Sequence, residues 1–251
     1  MKNRRLSTLI LLSFLGGGAL IFSGFGGGNT GKTKPPNYDS STFIPADFVC
    51  PVDQSNNLTV FLEFQPGAER VKLSIPRGYF DPRLTLRDNR TRRGQGLRIH
   101  GERFEPWPPE LLPTRRAGPY VGFLLTEYNP LDRVAEKLST NYLGYSITDP
   151  PIYRVEDAVL GLETLVSDEP PRRDFDVFQK DLFIARNDDG QITDVITCKK
   201  PGSVPFPGCR QYMESPLVDF SFYYSRELLE HWQILSRNAR AFVSCITSTP
   251  S

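Results

Sequence analysis

The chain has 251 residues, of which 39% are hydrophobic, 12% aromatic and 24% charged, enough to bury a core in one large domain or two small ones. That composition excludes wholesale disorder and a polytopic membrane protein. The net charge of +1, from 30 basic and 29 acidic side chains, gives no support to a basic nucleic-acid binder, and it hides a split: residues 1–37 carry five bases and no acid, while residues 38–251 sum to −4.

Met1-Lys2-Asn3-Arg4-Arg5 precedes an uncharged apolar stretch, Leu6 to Phe25. A basic flank before about 20 apolar residues is the pattern of a signal peptide or membrane anchor, and it puts the remainder of the chain on the far side of the membrane. Gly16, Gly17 and Gly18 weaken a permanent anchor, and Gly24 and Gly26 are small residues of the kind a signal peptidase reads. Cleavage and retention both stay open. No cysteine stands at a lipobox position, the first being Cys50. Residues 1–28 therefore read as signal or anchor and 29–41 as a linker.

Gly26-Gly27-Gly28-Asn29-Thr30-Gly31-Lys32-Thr33 matches the phosphate-binding pattern G-x-x-x-x-G-K-[ST]. That chemistry needs a strand before the loop and a helix after it. Here Pro35 and Pro36 come at once, and Pro36 holds its predecessor away from helical geometry, so no nucleotide site is expected.

Beyond the linker, Leu58, Val60, Leu62 and Phe64 alternate with other residues, as do Val71, Leu73 and Ile75. These are two strands, joined through Gln65-Pro66-Gly67-Ala68 as a hairpin. Residues 76–119 are broken by seven prolines, with a short strand expected at Leu97–His100. Tyr120–Thr126 reads as a strand and Leu131–Leu138 as a short helix or turn. Ala158–Leu165 and Leu182–Arg186 read as strands, and Asn187-Asp188-Asp189-Gly190 as a hairpin turn into Ile192–Cys198. Val218, Phe220, Phe222 and Tyr224 alternate in a further strand, after which Ser225 is a candidate N-cap. Leu228, Trp232, Leu235, Ala239 and Phe242 then mark one face of an amphipathic helix. The fold class expected is α+β: mainly antiparallel sheet packed by a C-terminal helix, divided into lobes at 42–150 and 151–251.

Four cysteines in an exported chain favour disulfides. Cys198 with Cys209 is the natural local pair, leaving Cys50 with Cys245, but three connectivities are possible and spacing does not choose among them. Metal binding lacks a C-x-x-C motif, and only His100 and His231 are available as imidazoles. No G-x-S-x-G elbow accompanies either histidine, and His100-Gly101-Glu102 lacks the P-C-x-x-C that a zinc deaminase requires. No catalytic residue, cofactor or metal site is therefore expected. Charge distribution says more: residues 83–116 sum to +5 and residues 151–195 to −6. An acidic surface beside proline-rich loops suits a basic protein partner, while Arg90, Arg92 and Arg93 suit phospholipid head groups.

The run from Ile196-Thr197-Cys198 through a proline-rich loop to Cys209, then Tyr212-Met213-Glu214, the aromatic strand, Ser225-Arg226-Glu227-Leu228-Leu229 and Trp232 resembles periplasmic immunity proteins encoded beside type VI secretion effectors, particularly those guarding against lipase effectors. Val71-Lys72-Leu73-Ser74-Ile75-Pro76 with Tyr79-Phe80 resembles their N-terminal strand and corner. The chain departs from the pattern between 83 and 170 and at Gln211, where a histidine is expected. The resemblance implies a periplasmic protein, free or anchored by residues 6–25, that binds a cognate toxin and blocks it without catalysis. Its candidate contacts are Asp168, Glu169, Asp174, Asp176, Asp188 and Asp189. A membrane-anchored accessory protein of an envelope or secretion machine is the alternative, and a carboxylate-based envelope hydrolase a third reading.

Overall fold

A computed structural model describes residues 46–51, 55–81, 87–101, 104–106, 120–127, 130–142, 153–167 and 180–247. All belong to one unit, Pro35–Ser251. The expected signal or anchor and the linker lie outside the described residues.

Strand β1 (Asn57–Leu62) buries Leu58, Val60 and Leu62, and β2 (Val71–Pro76) buries Leu73 and Ile75. They pair antiparallel, with Leu58 opposite Ile75 and Val60 opposite Leu73, so the alternation predicts the buried face. In the turn, Ala68 N–H donates to the Gln65 carbonyl at 3.0 Å and Gly67 takes φ 81°, the left-handed third position of a type II turn after Pro66. The Gly67 N–H and the Arg70 guanidinium both donate to Glu63 and hold its carboxyl below the ordinary range. Strand β3 (Arg90–Arg92) adds parallel to β1, giving a three-stranded sheet in the order β2-β1-β3.

The remaining strands are β4 (Gln95–His100), β5 (Glu105–Pro106), β6 (Tyr120–Thr126), β7 (Tyr153–Val159), β8 (Leu162–Ser167), β9 (Lys180–Arg186), β10 (Ile192–Lys199), β11 (Gly208–Met213) and β12 (Asp219–Ser225). They form a nine-stranded sheet in the order β5-β4-β6-β12-β11-β10-β9-β8-β7, antiparallel throughout. The β6–β12 pairing carries this sheet across the boundary expected between the lobes. Among the described residues the α-helices are α1 (Leu131–Tyr142) and α2 (Trp232–Thr247), the latter entered through a 3-10 turn at Arg226–His231.

Period two divides the large sheet into two faces. Phe123, Phe220, Phe222 and Tyr224 lie on the first, in one core with the small sheet and with Leu235, Ala239 and Phe242 of α2. Phe123 stacks on Phe220 at 5.3 Å and on Phe222 at 5.9 Å, and Phe242 meets it edge-on at 5.4 Å. Truncating Phe242 to alanine would cost about 3–5 kcal/mol. On the second face, Leu131, Val134, Ala135 and Leu138 of α1 bury Leu165, Leu182, Ile184 and Val195. The Leu131 N–H at the start of α1 donates to the Glu214 carboxylate at 2.7 Å, which supplies an acceptor and a favourable charge at a helix N-terminus.

Residues 46–51 lie along α2 as a strap. The buried Asn238 side chain accepts from Phe48 N–H at 3.1 Å and donates to the Ala46 carbonyl at 2.7 Å. Arg237 pairs with Asp47, and the Phe48 ring meets Phe242 edge-on at 5.6 Å. A Cys50–Cys245 disulfide fixes the strap, and Cys198–Cys209 bridges facing positions of β10 and β11.

Three expectations need correction. Ala158–Leu165 is not one strand: Leu160 (φ 59°) and Gly161 (φ 75°) turn the chain between β7 and β8. This is the two-residue left-handed pair of a type I′ hairpin, and the Trp232 indole N–H holds it by donating to the Leu160 carbonyl at 2.9 Å. Ser225 makes no capping hydrogen bond, because the 3-10 turn intervenes before α2. Helix α1 runs one turn past Leu138, where Ser139 and Thr140 hydroxyls donate back to the Glu136 carbonyl.

Candidate functional site

Helix α1 covers the part of the second face made by β8 to β11, and among the described residues no helix covers β4, β6 and β12 on that side. There the sheet carries a trough of about 400 Å³. Strand register builds it. Arg98 on β4 faces Gly122 on β6, Gly122 faces Tyr223 on β12, and Tyr223 faces Arg210 on β11. One row across four strands thus places an arginine at either end of a glycine and a tyrosine.

Both arginines are held in place. Arg98 Nη2 donates to Asp81 Oδ2 at 2.6 Å, with both side chains largely sheltered at 18% and 15% exposure. Arg210 Nε and Nη2 donate to the buried Ser221 hydroxyl at 3.2 and 3.0 Å, and its guanidinium lies 5.0 Å from the Tyr212 ring centre, a cation–π contact. Tyr223 leans across Gly208, where a Cβ would fall within the phenol ring. Gly208 is therefore required by packing. Gly96 is not: a Cβ there meets only the Phe123 carbonyl, at 3.9 Å, so glycine at this position lowers the trough floor. The trough thus sets two anchored guanidiniums, groups suited to carboxylates and phosphates, beside a floor of small residues.

Of the predicted contacts, Asp188 and Asp189 sit exposed at the β9–β10 turn. The turn is closed by Gly190 N–H to the Asn187 carbonyl at 2.9 Å and Gln191 N–H to Asn187 Oδ1 at 2.8 Å. Asp168, Glu169, Asp174 and Asp176 lie outside the described residues. The acidic run is not one solvated face. Asp181 pairs with Arg226 at 2.6 Å and Glu163 with Arg186 at 3.1 Å. Asp194 is 2% exposed and accepts from Gln211 Nε2 at 2.7 Å, Ser236 Oγ at 2.8 Å and Arg240 Nη2 at 3.2 Å. Gln211 Oε1 in turn accepts from Tyr224 at 3.1 Å. A neutral amide that both donates and accepts therefore fills the position where the resemblance leads to a histidine.

Burial, then the nearby Asp194 charge, pushes the Tyr224 phenol well above its ordinary pKa; burial, then Glu105, does the same for Tyr79. A second hollow of about 430 Å³ lies where Pro216 and Leu217 approach Arg240 and Val243 of α2. Sequence reasoning missed the trough because its residues stand far apart in the chain, and only register joins them.

The sheets, the strap and the two disulfides define an α+β protein, mainly antiparallel sheet packed by a C-terminal helix. No protein-family model matches the chain, and no curated protein matches it in sequence. The solved structure of an immunity protein of the Stenotrophomonas maltophilia type IV secretion system is similar in fold, with TM-score 0.53 and 19% identity over 74% of this chain and 92% of that one. The Neisseria meningitidis iron-regulated outer membrane lipoprotein FrpD also aligns, with TM-score 0.41 and 12% identity over 80% of this chain and 97% of that one.

Proposed function

We propose that this chain is a periplasmic immunity protein that binds a cognate secreted toxin and blocks it. The observation that carries the reading is the shared fold with a secretion-system immunity protein across 92% of that protein's length. Two disulfides agree with an oxidising compartment, and the basic-flanked apolar segment Leu6 to Phe25 agrees with export, free or anchored. The finer reading, a type VI phospholipase effector as the toxin, rests on the sequence resemblance. Asp188 and Asp189, with Asp168, Glu169, Asp174 and Asp176, are proposed contacts for basic groups of that toxin.

The test is protection of a cell exposed to the toxin encoded beside this gene. The exported chain should protect, and a version lacking residues 1–28 should not. Equal protection by the cytoplasmic version against a toxin active only in the periplasm would remove the localisation from the reading.

A further inference from the structure

We propose that the trough between Arg98 and Arg210 receives a carboxylate-bearing loop of the blocked toxin, an assignment that rests on the toxin-binding reading above. The width is set by the register. Neighbouring strands are about 4.8 Å apart, so the side chains on β4 and β12 that flank Gly122 leave a slot roughly one side chain across. The row from Arg98 to Arg210 spans three such intervals, on the order of 14 Å.

The sign is set by the lining. Among the described lining residues, two guanidiniums stand against one carboxylate, Asp81, and leave the trough positive, so an acid is attracted and a base repelled. Asp81 takes one N–H of Arg98 at 2.6 Å, whereas a guanidinium carries five donors in a planar fork suited to a carboxylate. Asp81 on one side, and Ser221 with Tyr212 on the other, fix both arginines before the partner arrives, which lowers the ordering cost of docking. The acidic tip at Asp188 and Asp189 bears the opposite charge. A toxin that offers basic groups to the tip and a carboxylate to the trough is held in a single orientation.

Poly-L-glutamate and poly-L-lysine, titrated by fluorescence anisotropy at low salt, probe the chemistry without the toxin. The chain should bind polyglutamate with an affinity that falls as salt rises. Arg210→Gln and Gly96→Phe should each weaken that binding by about tenfold. Arg98→Gln removes an ion pair from the sheltered Asp81 and can unfold the chain, so Gly96→Phe, which fills the trough while sparing both arginines, carries the decision.

Undiminished polyglutamate affinity in both variants, with unchanged melting temperatures, would overturn the proposal, as would tighter binding of polylysine that Gly96→Phe abolishes. In the cell, loss of protection by Gly96→Phe supports it. Full protection by that variant removes the trough while leaving the toxin reading intact, and failure of the unaltered chain to protect removes the toxin as the occupant.

Discussion

Cys50, exposed on the strap, is bonded to the half-buried Cys245 of α2 and closes a loop spanning 195 residues. The other disulfide, Cys198–Cys209, spans 11 residues and is fully buried. Access therefore separates two bonds that the sequence treats alike. Mild reductant without denaturant should open the strap bond alone, and mass spectrometry after alkylation should find label on Cys50 and Cys245 only. A Cys50→Ser, Cys245→Ser variant should lose roughly 3–5 kcal/mol of stability, as expected for cross-links that close long loops.

Leu160 is a left-handed residue, φ 59°, with 45% of its surface exposed. Leu160→Asn would supply the Asn-Gly pair that type I′ turns favour. Removing the left-handed penalty of a bulky residue should stabilise the chain by about 1 kcal/mol, read as a higher denaturant midpoint with an unchanged slope. Trp232→Phe should act in the opposite direction, because the Leu160 carbonyl loses the indole donor.

Tyr224→Phe would leave Gln211 Oε1 buried without its donor. The expected cost is about 1–3 kcal/mol. Gln211→Leu should cost more, because Asp194 and Tyr224 both lose a partner; chemical denaturation of the two variants checks the order.

The phenols set an alkaline limit. Tyr79 and Tyr224 have folded-state pKa values raised above the unfolded one, so the folded chain binds these protons more tightly. Their contribution is intact below about pH 10 and is lost as pH rises beyond it. Tyrosinate absorbance should show both ionising only as the chain unfolds. A Tyr79→Phe, Tyr224→Phe variant, compared at its own lower stability, should lose part of the alkaline slope.

Gly208→Val would drive a side chain into the Tyr223 ring, and overpacking of this kind costs about 1–3 kcal/mol. Gly96→Ala, whose Cβ would make an ordinary contact with the Phe123 carbonyl at 3.9 Å, should melt close to the unaltered chain. The contrast tests whether Tyr223 lies across Gly208.

Much of this fold is legible where side chains alternate cleanly. The β1–β2 hairpin, the strand Tyr120–Thr126, the turn at Asn187–Gly190 and the buried face of α2 all come from period and turn chemistry. Strand β11 does not, because its inward positions include Gln211, whose polarity conceals the alternation and is satisfied by Asp194 and Tyr224 from neighbouring strands. The β7–β8 turn is hidden because Leu160 reads as one more apolar strand residue, while its conformation depends on Trp232, far along the chain. Net charge misleads for a similar reason: Asp194 counts toward the acidic run yet lies in the core. The acidic tip is readable because Asp188 and Asp189 belong to a local turn. Arg98, Gly122, Tyr223 and Arg210 become neighbours only through the order β4-β6-β12-β11.

The most direct measurement is titration of the purified, disulfide-bonded chain into an activity assay of the proposed cognate toxin, with a phospholipase as the first candidate. Activity should fall to background at an equimolar amount of the chain, and Asp188→Lys with Asp189→Lys should shift the titration to higher concentration. Undiminished toxin activity in a large molar excess of folded, disulfide-bonded chain would contradict the proposed toxin-blocking function.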